Sequence, residues 1–138
     1  MATTIQRPLQ RAVEEIVRWT SPIIHFCRTA SDDTELRGRK IAKGEHLALF
    51  YPSANRDEEV FEDPFEFRVD RYPNRHLAFG VGEHFCLGAH LARMEGQAAI
   101  GGLVRRFGDF ELLEEEIEWG PSLFRVPAKL RVRFKPVR

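Results

Sequence analysis

Residues 88–107 carry apolar side chains on nearly every helical face, among them Leu91, Met94, Ile100, Leu103, Val104 and Phe107. The spacing predicts a helix of roughly five turns, from about Gly88 to Phe107. A helix that is apolar all round is normally buried, so the fold is expected to form around this one. Gly96, Gly101 and Gly102 lie inside it. Each costs about 1 kcal/mol relative to alanine there, which points to close packing against another element. With 138 residues, one domain is the upper bound.

The rest of the chain alternates between the two periods. Leu9, Ala12, Val13, Ile16 and Val17 follow i, i+3, i+4 spacing and predict an amphipathic helix over 9–19. Pro8 suits its first turn, and Ser21-Pro22 should stop it. From Ile23 to Phe50 the period falls to two. Ile24, Phe26 and Arg28 share one face, and Ile23, His25, Cys27 and Thr29 share the other. Leu36, Ile41 and Leu47–Tyr51 are further strand candidates, with Gly38 and Lys43-Gly44 as turns, so a small antiparallel sheet is expected. Residues 52–78, with Pro52, Pro64 and Pro73, lack a sustained period. Their aromatics, Phe61, Phe65, Phe67 and Tyr72, predict a long but packed loop. Segments around 117–125 and 129–135 read as strands; in the latter Leu130, Val132 and Phe134 alternate with Arg131, Arg133 and Lys135.

Several function classes are excluded on charge and length of apolar runs. Twenty-one basic residues balance 21 acidic ones, leaving no basic field for nucleic acid. No apolar run approaches the roughly 20 residues that cross a membrane, so no membrane anchor is expected. The N-terminal MATTIQRPLQ lacks the apolar core of a signal peptide, which predicts a cytoplasmic protein. Cys27 and Cys86 make no disulfide framework.

The chemistry concentrates in Phe79-Gly80-Val81-Gly82-Glu83-His84-Phe85-Cys86-Leu87-Gly88. One cysteine stands just ahead of a predicted helix, where unpaired backbone N–H groups concentrate positive potential and favour anionic sulfur. Glycines let the backbone turn sharply and approach a flat ligand or the sulfur itself. Such a sulfur suits an axial iron ligand. A buried inert thiol is the bland alternative. A zinc site from His76, His84, Cys86 and His90 is another, since Cys86 and His90 stand i, i+4. Paired-cysteine spacing is absent, and no His/Asn signature accompanies Cys86 as a nucleophile.

FGVGEHFCLG resembles the haem-binding loop of cytochrome P-450 enzymes (Phe, two residues, Gly, three residues, Cys, one residue, Gly), and AHLARME resembles the helix that follows in bacterial members. The resemblance makes Cys86 the proximal thiolate on the iron of haem b, iron protoporphyrin IX. Glu15-Ile-Val-Arg18 is similar to the family's Glu-x-x-Arg motif, and Arg71 holds the place of the arginine that completes a structural triad. A carboxylate between two guanidiniums can tie the helix to the long loop through bidentate bonds. By the same resemblance His76, Arg28 and His84 contact the haem propionates, and Phe79 packs beside the sulfur with Gly80 and Gly88 shaping the loop.

The expected fold is accordingly α+β: the proximal haem-binding part of a mainly helical family, with small antiparallel sheets. The likeness covers the chain from about Arg11 onward and corresponds to roughly the C-terminal third of the family. The distal helix, its acid–alcohol proton relay and most of the substrate pocket are not represented; only Ser122–Val126 matches a region bordering substrate. The resemblance implies a monooxygenase that hydroxylates a small apolar molecule with dioxygen and electrons from a ferredoxin-type or other donor. The alternative is a truncated, non-catalytic remnant with weak or no haem binding. On either reading the chain alone is expected to be an incomplete oxygenase and to self-associate through exposed apolar surface.

Overall fold

Helix α1 spans Gln6–Thr20 in the computed structural model, which describes residues 6–120 and 123–137. It begins earlier than the apolar stripe because Pro8 is tolerated where no intrahelical N–H is required. Ser21 closes it in the left-handed conformation, φ 40°. The Ser21 amide donates to the Val17 carbonyl (3.0 Å) and its hydroxyl to the Arg18 carbonyl (2.8 Å), satisfying two of the helix's last acceptors.

The expected single sheet is two separate antiparallel ribbons. Strand β1 (His25–Thr29) pairs with β4 (His46–Phe50), setting Phe26 opposite Leu49 and Arg28 opposite Leu47. Between them β2 (Thr34–Leu36) and β3 (Arg39–Ile41) form a hairpin. Arg37 and Gly38 both have positive φ, as the hairpin's two-residue turn demands. Tyr51 does not extend the strand. It starts the short helix α2 (Tyr51–Ala54), because Pro52 fits an opening turn and cannot donate to a ladder.

The loop that follows is irregular but differs from the aromatic-packed expectation. Phe61 is buried, whereas Phe65, Phe67 and Tyr72 are exposed. Polar bonds to two buried arginines order this segment, as described below.

Helix α3 (Ala89–Arg106) packs one face on α1. A Cβ at Gly96 would lie 2.9 Å from a Val13 methyl, and one at Gly101 3.0 Å from a Leu9 methyl, so both glycines permit close helix approach. Gly102 has nothing within 4 Å, and contact does not explain it. The expectation of all-round burial fails. Only Ala89 and Gly101 are buried, while Leu91, Met94, Leu103 and Val104 are exposed, because a single neighbouring helix covers a single face.

Phe107 leaves the helix and opens strand β5 (Phe107–Leu112), which pairs antiparallel with β6 (Val132–Pro136) across a bulge between Gly108 and Glu111. The alternating cations find acids on β5: Arg133 meets Glu111 at 2.8 Å and Lys135 meets Asp109 at 3.4 Å. No strand forms over 117–125 among the described residues; the segment makes isolated bridges, Ile23 with Phe124 and Trp119 with Pro127. Ser122 lies outside the described residues.

The architecture is thus α+β with small antiparallel sheets. Its accessible surface is 11,015 Å². A folded monomer of 16.0 kDa exposes about 7,400 Å² by the usual size scaling. Large apolar side chains are among the exposed residues, and Leu87 is fully exposed.

Candidate functional site

Two tight glycine turns present Cys86. Gly80 (φ 70°) and Gly82 (φ 69°) adopt a conformation L side chains rarely take, and a Cβ on Gly80 would also press to 3.3 Å from the His84 carbonyl oxygen. A 3-10 turn over Gly82–His84 follows. The Cys86 amide then donates back to the Phe79 carbonyl (2.8 Å), closing the loop, and its own carbonyl accepts the Ala89 amide at 3.2 Å as α3 begins. Gly88 caps that helix, and a Cβ there would sit 3.9 Å from Cys86 Sγ. Cys86 is a free, exposed thiol.

The thiol borders a cavity of about 570 Å³, within the range of cofactor sites. Phe79, Gly80, His84 and Arg28 border it as well, with Phe26 and Phe124 among its apolar walls. Phe124 arrives because residues 22–24 bind the 123–125 segment: Ile24 donates to Leu123 (3.1 Å) and Arg125 to Pro22 (2.7 Å). Arg28 donates to the neighbouring Cys27 carbonyl at 2.9 Å, which leaves most of its guanidinium N–H groups for another acceptor. Tyr51, expected only as the end of a strand, also borders the cavity, its hydroxyl 3.8 Å from the Cβ position of Gly80.

The structure brings Glu15, Arg18 and Arg71 together between α1 and the irregular 62–74 segment. Glu15 and Arg18 are fully buried and Arg71 is 6 % exposed. Arg18 grips Glu15 with two parallel bonds of 2.7 and 2.8 Å, and Arg71 Nε approaches the same carboxylate at 3.2 Å. The Arg68 amide and Asn74 side chain add bonds of 2.8 and 3.0 Å. Arg18 also donates to the carbonyls of Asn55, Pro64 and Glu66, and Arg71 to those of Glu62, Asp63 and Glu66. One carboxylate therefore anchors two guanidiniums, whose remaining donors hold the irregular loop. Asn55, also missed from sequence, is fully buried: its amide donates to Ser21 Oγ and its oxygen accepts the Leu77 amide.

His76 is held by α1 and not at the cavity border: its ring is 2 % exposed and Nε2 lies 2.9 Å from Glu14 Oε2. The carboxylate draws the ring toward α1. Arg93 Nε binds Glu14 Oε1 at 2.6 Å. Neither Glu14 nor Arg93 was singled out by sequence, although Glu14 precedes Glu15-Ile-Val-Arg18 and Arg93 lies within AHLARME. His90 lies on the exposed side of α3, and among the described residues no three His, Cys, Asp or Glu side chains converge on a metal position.

Burial alone would raise the Glu14 carboxyl, but hydrogen bonds from His76 and Arg93 and the Arg93 charge outweigh it, lowering it from 4.5 to about 2. Glu15 is lowered in the same manner: burial opposes ionisation, and Arg18, the Arg68 amide and Arg71 more than reverse it. Both carboxylates bind protons more weakly folded than unfolded. Their stabilisation is complete above the ordinary carboxylate range and is lost as pH falls through it. The melting temperature is expected to drop steeply from about pH 4.5 toward pH 2. Thermal circular dichroism across that window checks this, and a flat profile would contradict it.

The α+β unit thus offers one cysteine, on a glycine turn, to an apolar cavity. The chain belongs to the cytochrome P450 family, whose sequence profile matches residues 7–122. It is 52 % identical over 104 residues to cytochrome P450-terp of a Pseudomonas species, covering 75 % of this chain and 24 % of that protein. It is 53 % identical over 105 residues to a methyl-branched lipid omega-hydroxylase of Mycobacterium tuberculosis, covering 75 % of this chain and 24 % of that one. The crystal structure of P450BioI, in complex with acyl carrier protein ligated to hexadec-9Z-enoic acid, superimposes with a TM-score of 0.88 at 40 % identity, over 93 % of this chain and 34 % of that chain. The chain thus spans about a quarter of the length of the curated relatives it matches. Among the described residues no helix is long and apolar enough to cross a membrane.

Proposed function

We propose that residues 1–138 are the proximal, C-terminal portion of a bacterial-type cytochrome P450 monooxygenase, with Cys86 the axial ligand of haem b. The observation that carries this reading is the position of Cys86 on an apolar cavity whose border also includes Arg28 and His84. That donor set fits the group. The sulfur would hold the metal, the apolar walls would receive the ring, and the guanidinium and imidazole would pair with carboxylates that are costly to bury alone. Arg28, with spare donors, and His84 are the propionate contacts the cavity border supplies, while the His76 ring binds Glu14.

When bound, haem b supplies an iron that activates dioxygen with electrons from a ferredoxin-type or other donor, and a thiolate ligand favours O–O cleavage. The chain's own residues hold and orient it. Gly80 and Gly82 set the loop, the Phe79 carbonyl fixes the Cys86 amide, and the Glu15 cluster keeps the preceding 62–74 segment on α1. Phe26 and Phe124 offer apolar surface to a small apolar substrate, a class in keeping with the lipid hydroxylase relative.

The surface excess over a compact monomer favours a second reading, a non-catalytic remnant that self-associates through α3 and binds haem weakly or not at all. Haem titration into the purified chain, followed by a carbon-monoxide difference spectrum of the reduced protein, separates the two. Stoichiometric uptake with a thiolate-type spectrum is expected. Soluble chain that takes up no haem would overturn the first reading and leave the remnant.

A further inference from the structure

Glu14 and Glu15 are adjacent on α1, and a helix turns about 100° per residue, so the two carboxylates serve different partners. Glu15 faces the loop through Arg68, Arg71 and Asn74. Glu14 faces α3. Its Oε1 accepts Arg93 Nε at 2.6 Å, and its Oε2 accepts Arg93 Nη2 at 3.0 Å and His76 Nε2 at 2.9 Å. The His76 Nδ1 accepts the Ala78 amide at 3.3 Å, which assigns the ring proton to Nε2, aimed at Glu14. Both partners of Glu14 converge on Phe79. The Arg93 guanidinium lies 4.6 Å from the Phe79 ring centroid, and the His76 ring 5.7 Å from it.

We propose that Glu14 is a positioning group for Cys86: through Arg93 and His76 it clamps the Phe79 ring, and the Phe79 carbonyl in turn fixes the Cys86 amide. Arginine suits the task because its planar fork can give two bonds to a carboxylate while its face stacks on an aromatic ring. Without the carboxylate, an arginine on the partly open face of α3 turns its head to water and leaves Phe79 uncovered. The clamp is separate from the Glu15 cluster, whose side-chain bonds reach no further along the chain than Asn74. Its purpose rests on the reading of Cys86 as a haem ligand; its existence does not.

The test is residue-resolved amide hydrogen exchange on the 138-residue chain without haem, for the native sequence, Glu14→Gln and Arg93→Lys. The Cys86 amide is expected to lose protection by roughly three- to tenfold in both variants, the span of one hydrogen bond's net worth. The Ala92 amide, bonded to Gly88, and the Ser21 amide, bonded to Val17, should keep theirs. Unchanged protection at Cys86 in either variant would overturn the proposal. So would a parallel loss at all three amides, which would make Glu14 a general stabiliser. Arg93→Lys keeps the charge but lacks the flat fork, so it guards against misreading a variant that fails to fold. A chain that shows the expected pattern yet binds no haem would refute the haem reading alone.

Discussion

Glu15→Ala is expected to destabilise the chain by about 5 kcal/mol. The substitution leaves the Arg18 and Arg71 guanidiniums buried around the vacated carboxylate position with no counter-charge. Removing one partner of a buried ion pair costs about 3–5 kcal/mol. Whole domains are stable by only about 5–15 kcal/mol. This carboxylate serves two arginines, the Arg68 amide and Asn74 at once, so the loss should reach the upper end of that range. Glu15→Gln keeps the shape but turns an amide NH2 toward donors, and it should be nearly as damaging. Urea unfolding followed by far-UV circular dichroism measures the effect. Glu111→Ala breaks an exposed pair with Arg133 and should shift stability by less than about 1 kcal/mol. Equal midpoints for the two alanine variants would refute the account.

Cys86→Ala should have the largest effect on chemistry and little on folding. The thiol is exposed, and the backbone bonds from Cys86 to Phe79 and from Ala89 to Cys86 survive the change. Alanine removes the one sulfur that borders the cavity among the described residues but leaves its apolar walls, Arg28 and His84. Some haem can still partition into such a site, so uptake alone is a poor readout. The decisive one is the type of carbon-monoxide spectrum: the thiolate form should vanish completely in Cys86→Ala and persist in Cys27→Ala. Cys27 stands on β1 opposite Ala48 and does not border the cavity. An unchanged thiolate spectrum in Cys86→Ala would remove the ligand assignment.

The parts legible in the sequence are those decided within a few residues. The α1 stripe, the Ser21-Pro22 stop, the Arg37-Gly38 turn and the glycines around Cys86 all depend on backbone preferences that a short window displays. The failures came where an element's partner is distant. Strand β5 was hidden because Phe107 continues the apolar run of α3, and only pairing with β6, more than twenty residues later, makes 107–112 a strand. The aromatics of the long loop suggested a packed apolar interior, yet the order there comes from carbonyls bound by Arg18 and Arg71, and carbonyl acceptors carry no residue-type signal. His76 stood in a recognisable string, but nothing local to it shows that Glu14, on the first helix, claims its ring.

Composition, period and one ten-residue string determined the two long helices, the turn at Gly38 and the place of the sulfur, since each is governed by sterics and hydrogen bonding over one or two turns of chain. Tertiary structure alone decided which carboxylate each buried cation serves, which face of α3 is covered, and which side chains border the cavity with Cys86. Charge pairing and helix contact act through space between residues far apart in the chain, so their outcome depends on how the elements dock.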